Sequence, residues 1–353
     1  MKVLFTYFIS SGGVETLNRH RIKALGNVGI ECHLLYKERG SGHQNISGIK
    51  TFIMSDPLAI TALIKREQYD LIVVCTDYQL LQVIRRSGYK GKLVFELQGL
   101  GNYRSTERFF IQHNPIINRA ADGILLPKTE HLIRLSNNYL SALPRFPIHN
   151  CFDNETFHHV KVQKPPSPII AWVGRIEKNK NWKFFLEIGE KMIERNSTLK
   201  LWMFIDDTIF EHSQKQRFLR KKESAKLSNN LVIHNNIKNH LMAKYYSEIA
   251  DSGGFLCSTS QVEGFGYTIV EAISCGCPIL TTDSDGVRNI IENQVSGLFI
   301  EQGNVMKAVL QGERLLANSK FRNFLTVNAK YHLKQTFSLE RYASEFMNMY
   351  TNL

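Results

Sequence analysis

The stretch Cys257–Thr282, CSTSQVEGFGYTIVEAISCGCPILTT, sets two carboxylates, two glycines and a helix start between two short apolar segments. Phe255–Cys257 reads as a buried strand and Cys277–Leu280 as the next, so a helix is expected between them. Gly264 and Gly266 stand at its entrance with Phe265 and Tyr267. A missing Cβ there lets a ligand approach the backbone, and the first unpaired N–H groups of a helix point at an anion. Glu263 lies in the loop and Glu271 eight residues on, about two turns into the helix. Five helical residues rise roughly 7–8 Å, so the two carboxylates are spaced to grip separate parts of one extended ligand rather than to act as a dyad. An ionised carboxylate only accepts hydrogen bonds, which suits a vicinal diol such as a ribose or a sugar ring. Either Glu alone would read as a solvated residue. With the glycines and flanking strands, the string reads as a sugar-ready or phosphate-ready site.

Working outward, 353 residues suffice for two domains of ordinary size, and 43% hydrophobic with 22% charged residues is the composition of a globular protein. No apolar run approaches the roughly 18 residues of a membrane span, and Met1–Phe8 is too short and strand-like for a signal peptide. A cytoplasmic location is expected. Six scattered cysteines, at 32, 75, 151, 257, 275 and 277, contain no CxxC pair, which argues against a zinc site or a disulfide framework. The twelve histidines form no metal-ligand spacing, and His158–His159 reads as linker surface. The net charge of +12 admits a nucleic acid, an anionic membrane surface or an acidic small molecule as partner. No aromatic-interleaved basic motif is present, so no nucleic-acid partner is expected. The densest basic run, Lys215–Lys226, reads as a solvated face or as peripheral contact with an anionic membrane, at the inner face of the cell membrane.

From the N-terminus, Lys2–Phe8 reads as a strand, Ser10–Gly13 as a turn and Val14–Val28 as a helix, the opening of a βαβ unit. The dinucleotide fingerprint G-x-G-x-x-G is absent, yet Gly12 and Gly13 allow backbone approach to a ligand at a strand's carboxyl end. Strand and helix signals then alternate through Glu31–Leu35, Leu58–Lys65, Leu71–Cys75, Tyr78–Arg86, Lys92–Leu97 and Gly123–Leu126. Lys161–Pro168, with three prolines in eight residues, has linker composition, and a domain boundary is expected at 160/161. The alternation resumes with Ile169–Val173, which runs into Gly174-Arg175-Ile-Glu-Lys-Asn-Lys180 and a helix Asn181–Ile193. Arg offers phosphate a planar fork and Lys a mobile point charge, a pairing that suits a diphosphate. After Gly303 the pattern is helical, and Tyr342, Phe346 and Tyr350 share one face. An α/β fold with parallel sheets wrapped by helices follows.

E-G-F-G-x4-E followed by A-x3-G-x-P resembles the E-x7-E signature of the family 4 retaining glycosyltransferases, which have the GT-B fold of two Rossmann-like domains facing a central cleft. Arg175 and Lys180 match that family's G-R-x4-K motif. The string S-G-G-V-E at Ser11 resembles its first loop, and Asn150, Asp153 and Phe157 match its inter-domain stretch, with Cys151 in place of glycine. Gln98 stands where the family commonly has a His that touches the donor sugar. The resemblance runs over most of the chain, strongest from 169 to 300 and weak from 30 to 90, where an acceptor would bind.

The resemblance implies transfer of a sugar, with retention, from a nucleotide diphosphate sugar to the hydroxyl of a glycan, lipid-linked or small-molecule acceptor, in bacterial glycan or surface-polysaccharide assembly. Domains 1–160 and 161–336 are expected for acceptor and donor, with the last helix, 337–353, completing the first. The catalytic set is Glu263, Arg175 and Lys180; donor-binding residues are Glu271, Gly264, Phe265, Gly266, Tyr267, Gly12, Gly13 and Gln98. No cofactor or metal is expected: the cations and the helix start carry the charge of the departing diphosphate. Asp283-Ser-Asp285 has the D-x-D form of metal sites in the other large glycosyltransferase fold, but between a strand and a helix an Asp reads as an N-cap. Asp206–Asp207 reads as a strand-end turn. Two other outcomes share the donor pocket: a GT-B nucleotide-sugar epimerase, and a non-catalytic nucleotide-sugar-binding protein.

Overall fold

The structure, a computed structural model, describes residues 1–224 and 227–353. It divides into two compact units, Met1–Asp153 with Thr336–Leu353, and Asn154–Gln335.

The first unit holds strands β1 (Lys2–Ile9), β2 (Glu31–Glu38), β3 (Thr51–Ile53), β4 (Leu71–Cys75), β5 (Lys92–Glu96), β6 (Gly123–Leu126) and β7 (Arg145–Pro147). They form one sheet in the order β3-β2-β1-β4-β5-β6-β7, with every neighbouring pair parallel. Helices α1 (Gly12–Gly26), α2 (Pro57–Glu67), α3 (Tyr78–Arg86), α4 (Tyr103–Ala120) and α5 (Glu130–Tyr139) make five of the six crossovers, and the link from β2 to β3 carries only a short 3-10 turn at Ser41–Asn45. β4, LIVVC, is buried at every position, as a strand covered on both faces must be. Asp56 and Asp77 cap α2 and α3 by accepting from the backbone N–H of Ala59 and Leu80. A buried polar network crosses the core. Arg21, fully buried, donates from Nη1 to both oxygens of Glu96 at 2.8 and 2.9 Å and from Nη2 to Asn18, with its guanidinium over the Phe5 ring. The C-terminal helix packs on α1 and brings Phe346 against Phe5 at 5.8 Å between ring centroids.

The second unit repeats the design with β8 (Ile169–Val173), β9 (Lys200–Ile205), β10 (Leu231–Asn235), β11 (Phe255–Ser258), β12 (Ile279–Thr282) and β13 (Leu298–Ile300). Its sheet order is β10-β9-β8-β11-β12-β13, again parallel throughout. Its helices are α6 (Trp182–Arg195), α7 (His212–Lys222), α8 (Met242–Asp251), α9 (Tyr267–Ser274), α10 (Asp285–Arg288), α11 (Val305–Ala317) and α12 (Ser319–Thr336), followed by the C-terminal α13 (Leu339–Thr351) of the first unit. In chain order the second sheet runs 3-2-1-4-5-6 and the first runs the same with a seventh strand added at the far edge, the Rossmann arrangement, in which ligands bind beyond the carboxyl ends of the strands where the order reverses.

The division falls at 153/154 rather than 160/161. Residues 154–160 pack on the second unit: Ser274 Oγ donates to Asn154 Oδ1 at 3.1 Å, the Val160 N–H to Ser247 Oγ at 3.0 Å, and His159 meets Asp251 at 2.9 Å. The prolines of 161–168 mark an irregular stretch that follows the change of unit, because hydrogen bonds and not composition decide where the chain docks.

Candidate donor site

In the second unit the order reverses between β8 and β11, so the loops that follow these two strands are neighbours. They are Gly174–Asn181 and Thr259–Gly266, the two stretches that carry the motif residues. Asn179 stitches them together. Its Nδ2 donates to Val262 O at 3.0 Å, its Oδ1 accepts from the Val262 N–H at 3.1 Å, and its carbonyl accepts from the Gln261 N–H at 2.8 Å. Thr259 adds a second seam, its hydroxyl placed 3.0 Å from the carbonyls of both Lys180 and Asn181 and from Trp172 Nε1, which donates to it.

Lys180 and Glu263, 83 residues apart, meet as an ion pair, and Ser260 Oγ donates to the same Glu263 oxygen at 2.7 Å. The side chains are 22% and 14% exposed, so the pair is partly withdrawn from water yet reachable by a ligand. The residues expected to serve the diphosphate and the sugar are thus in direct contact. Arg175 stands apart, its side chain 46% exposed and its nearest carboxylate Glu177 at 3.4 Å.

The loop then opens α9. Gly266 takes φ +87 as N-cap residue, a conformation that an L side chain rarely adopts, and Phe265 and Tyr267 pack edge-on at 4.9 Å. Gly286, at the start of α10, supports the loop from below. A Cβ there would lie 2.3 Å from Glu263 O and 2.4 Å from Gly264 O, and its N–H donates to Glu263 O at 3.2 Å. Glu271 is a buried residue of α9, 3% exposed, and not a surface helix residue. Asn239 Nδ2 donates to its Oε1 and Tyr246 Oη to its Oε2, each at 3.1 Å. Burial first, and the Glu271 carboxylate second, hold the Tyr246 phenol well above its usual pKa, so it stays a proton donor to that carboxylate. Two donors, one from α8 and one from the turn before it, thus fix the orientation of the Glu271 carboxylate.

Asn179, Thr259, Asn239, Tyr246 and Gly286 escaped the reading of the sequence. Gly286 carried a faint signal, a D-G pair after a strand; the others act through contacts between distant segments. One expectation is corrected. Neither Asp283 nor Asp285 caps α10: Ser284 occupies the N-cap position and makes no side-chain cap bond. Asp283 instead forms a fork with Arg288 at 2.7 and 3.0 Å, and Asp285 meets the same guanidinium at 3.3 Å, because Arg288 lies one turn on. Among the described residues, no group of three or more His, Cys, Asp or Glu is placed to hold a metal ion. Asp206 accepts from the Thr208 N–H at 2.9 Å, an Asx turn at the end of β9.

In the first unit Gly12, at φ +78, and Gly13 open α1 and are exposed. Gln98 is 7% exposed, and its Nε2 donates to Asn150 Oδ1 at 2.8 Å and to Glu96 Oε1 at 3.4 Å, which ties it to the Arg21 network. Of the basic run 215–226, Lys221 pairs with Glu190 at 2.7 Å and Lys215 lies over the Phe210 ring, while Lys226 falls outside the described residues. No helix among the described residues is long and apolar enough to cross a membrane.

The family model described as glycosyl transferases group 1 matches residues 153–332. Sucrose synthase 1 of Tulipa gesneriana is 25% identical over 252 residues, 68% of this chain and 30% of that protein. The poly(glycerol-phosphate) alpha-glucosyltransferase of Bacillus subtilis is 30% identical over 140 residues, 38% of this chain and 19% of that protein. This chain therefore spans less than half the length of these curated relatives. Among solved structures, sucrose-phosphate synthase from Thermosynechococcus elongatus superposes with a TM-score of 0.83 at 16% identity, covering 100% of this chain and 98% of that one. Anabaena HepE in complex with UDP-glucose superposes at 0.81 and 15% identity, with 100% of both chains covered. At such identities the shared property is the fold, GT-B.

Proposed function

Because the chain belongs to the group 1 glycosyl transferases, we propose that it moves a sugar from a nucleotide diphosphate sugar to an acceptor hydroxyl, with retention of configuration and without a metal. The observation that carries the proposal is the Lys180–Glu263 pair, held by Ser260 and Asn179 at the entrance to α9, with Glu271 fixed further along the same helix. Glu271 receives the ribose hydroxyls and Glu263 a hydroxyl of the donor sugar. The diphosphate lies against Lys180, Arg175 and the N–H groups that begin α9. An ammonium has three N–H donors, so Lys180 can keep Glu263 in place with one and meet a phosphate oxygen with another. As the bond from the sugar C1 to the diphosphate oxygen breaks, negative charge grows on the leaving group, and these donors stabilise it most where it is largest. The acceptor oxygen bonds to C1 on the face the diphosphate leaves, and its proton passes to the departing phosphate oxygen. Retention is what the resemblance to family 4 implies, and it is proposed on that basis.

Two names guide the choice of substrates. HepE was solved with UDP-glucose, and the Bacillus subtilis relative is named for glucosyl transfer to poly(glycerol-phosphate), so UDP-glucose as donor and a glycerol-phosphate polymer as acceptor lead the screen. The test is thermal stabilisation by a panel of nucleotide sugars, followed by transfer to glycan, lipid-linked and small acceptors with the product anomer read by NMR. A ligand at 100 times its Kd should add about 2.7 kcal/mol of stability. The proposal predicts one stabilising donor and a product with the donor's anomeric configuration. An inverted product, or interconversion of the nucleotide sugar with no transfer, would overturn it.

A further inference from the structure

The helix α12 carries its apolar residues on two opposite faces. Leu325, Ala329 and Leu333 are buried in the second unit, and Arg322 turns inward to donate to the carbonyls of Leu315 and Leu316. On the outer face Phe324, Val327 and Tyr331 are 51%, 56% and 70% exposed. Their spacing of three and four residues aligns them along the helix, a line of roughly 10 Å at the rise of an α-helix. Lys320 stands at the N-terminal end of the line and Lys330 and Lys334 along one side of it, all exposed, with the Lys330 amine beside Gly276, and α12 contains no Asp or Glu.

We propose that this outer face of α12 docks on an anionic lipid surface. The inference is independent of the donor site. A straight apolar line bordered by lysines is the pattern of an interfacial helix: the rings and the valine enter the headgroup boundary while the lysine stems lie along it and their charges reach lipid phosphates. The charge is complementary to such a surface and opposes a second copy, since a two-fold contact would set these lysines against themselves. The basic run on α7 lacks this design. Its exposed large apolar side chain among the described residues is Leu219, and two of its lysines are engaged by Glu190 and Phe210.

Flotation of the full chain with vesicles tests the assignment, using equal parts phosphatidylglycerol and phosphatidylcholine against phosphatidylcholine alone. The chain should float with the anionic vesicles and remain behind with the neutral ones. Phe324→Ser with Tyr331→Ser should cut the bound fraction about tenfold, and each of Lys320→Gln, Lys330→Gln and Lys334→Gln roughly fivefold, the equivalent of about 1 kcal/mol per lysine. Circular dichroism melts of the variants should match the parent, because no altered side chain is buried. Arg217→Gln with Arg220→Gln on α7 should leave flotation unchanged. The proposal fails if the parent does not float, if the α7 pair abolishes flotation as fully as the α12 variants, or if Phe324→Ser converts a dimer to a monomer by light scattering without changing flotation.

Discussion

Gly286→Ala should disable transfer from a position that touches no substrate. The new Cβ would stand 2.3 Å from Glu263 O and 2.4 Å from Gly264 O, both backbone atoms that cannot rotate aside. Ordinary carbon contacts need about 3.5 Å, so the loop or α10 must move by roughly 1 Å. That shift also weakens the 3.2 Å hydrogen bond from the Gly286 N–H and carries the Glu263 carboxylate off its Lys180 partner. Overpacking of this kind costs about 1–3 kcal/mol, a melting temperature lower by several degrees in a protein that still folds. A misplacement of about 1 Å in a reacting constellation costs on the order of 100-fold in rate. The assay is kcat with the identified donor beside a thermal melt, and calorimetry with the free nucleoside diphosphate, whose ribose partner Glu271 is not displaced. The expected result is kcat down about 100-fold with nucleotide affinity within a few-fold of the parent. A folded variant with parental kcat would refute the claim that this loop positions the reacting group.

Tyr246→Phe removes the hydroxyl that donates to Glu271 Oε2, and a hydrogen bond to a charged group is worth about 1.5–3 kcal/mol. Nucleoside diphosphate affinity should fall about tenfold by calorimetry, while a loss of stability alone with unchanged affinity would make Tyr246 structural. Acid should destabilise the first unit through His20. Burial first and Arg19 second hold its imidazole down to about 3, so it is neutral when folded, whereas the unfolded chain protonates below about 6.5. The unfolded state then binds the extra proton, and stability is lost as pH falls from about 6.5 toward 3. Urea unfolding at pH 7.5 and 5 should show that slope, and His20→Gln should flatten it. Transfer should persist in excess EDTA; complete loss restored by Mg²⁺ or Mn²⁺ would mean that the diphosphate charge is not carried by Arg175, Lys180 and backbone donors.

The parallel framework was legible because its strands are short apolar runs ended by glycine or polar turns, as in Leu71–Cys75 and Ile169–Val173. α4 and α5 carried weaker marks: α4 begins among polar residues and contains Pro115, and the edge strands β3 and β7 have three residues each. The motif residues were visible one loop at a time. Their meeting was not, since Lys180 reaches Glu263 only because the sheet order sets β8 beside β11, a fact of topology that no local window contains. The same holds for Tyr246 and Asn239, whose helical and turn positions gave no sign that they face Glu271. At Asp283 and Asp285 the local rule for helix starts lost to a longer side chain, Arg288, within reach of both carboxylates.

The arrangement of the two carboxylates along the donor is tested most directly by calorimetry with the nucleoside diphosphate of the stabilising donor on Glu271→Ala and Glu263→Ala. Glu271→Ala removes the acceptor of the ribose hydroxyls, a loss of roughly 1.5–3 kcal/mol per charge-assisted bond before water substitutes. Affinity should drop about tenfold or more. Glu263→Ala frees the Lys180 ammonium for phosphate, so the same nucleotide should bind as well as to the parent or more tightly, while sugar transfer collapses. Equal losses on the two variants, or a larger loss for Glu263→Ala, would contradict the account.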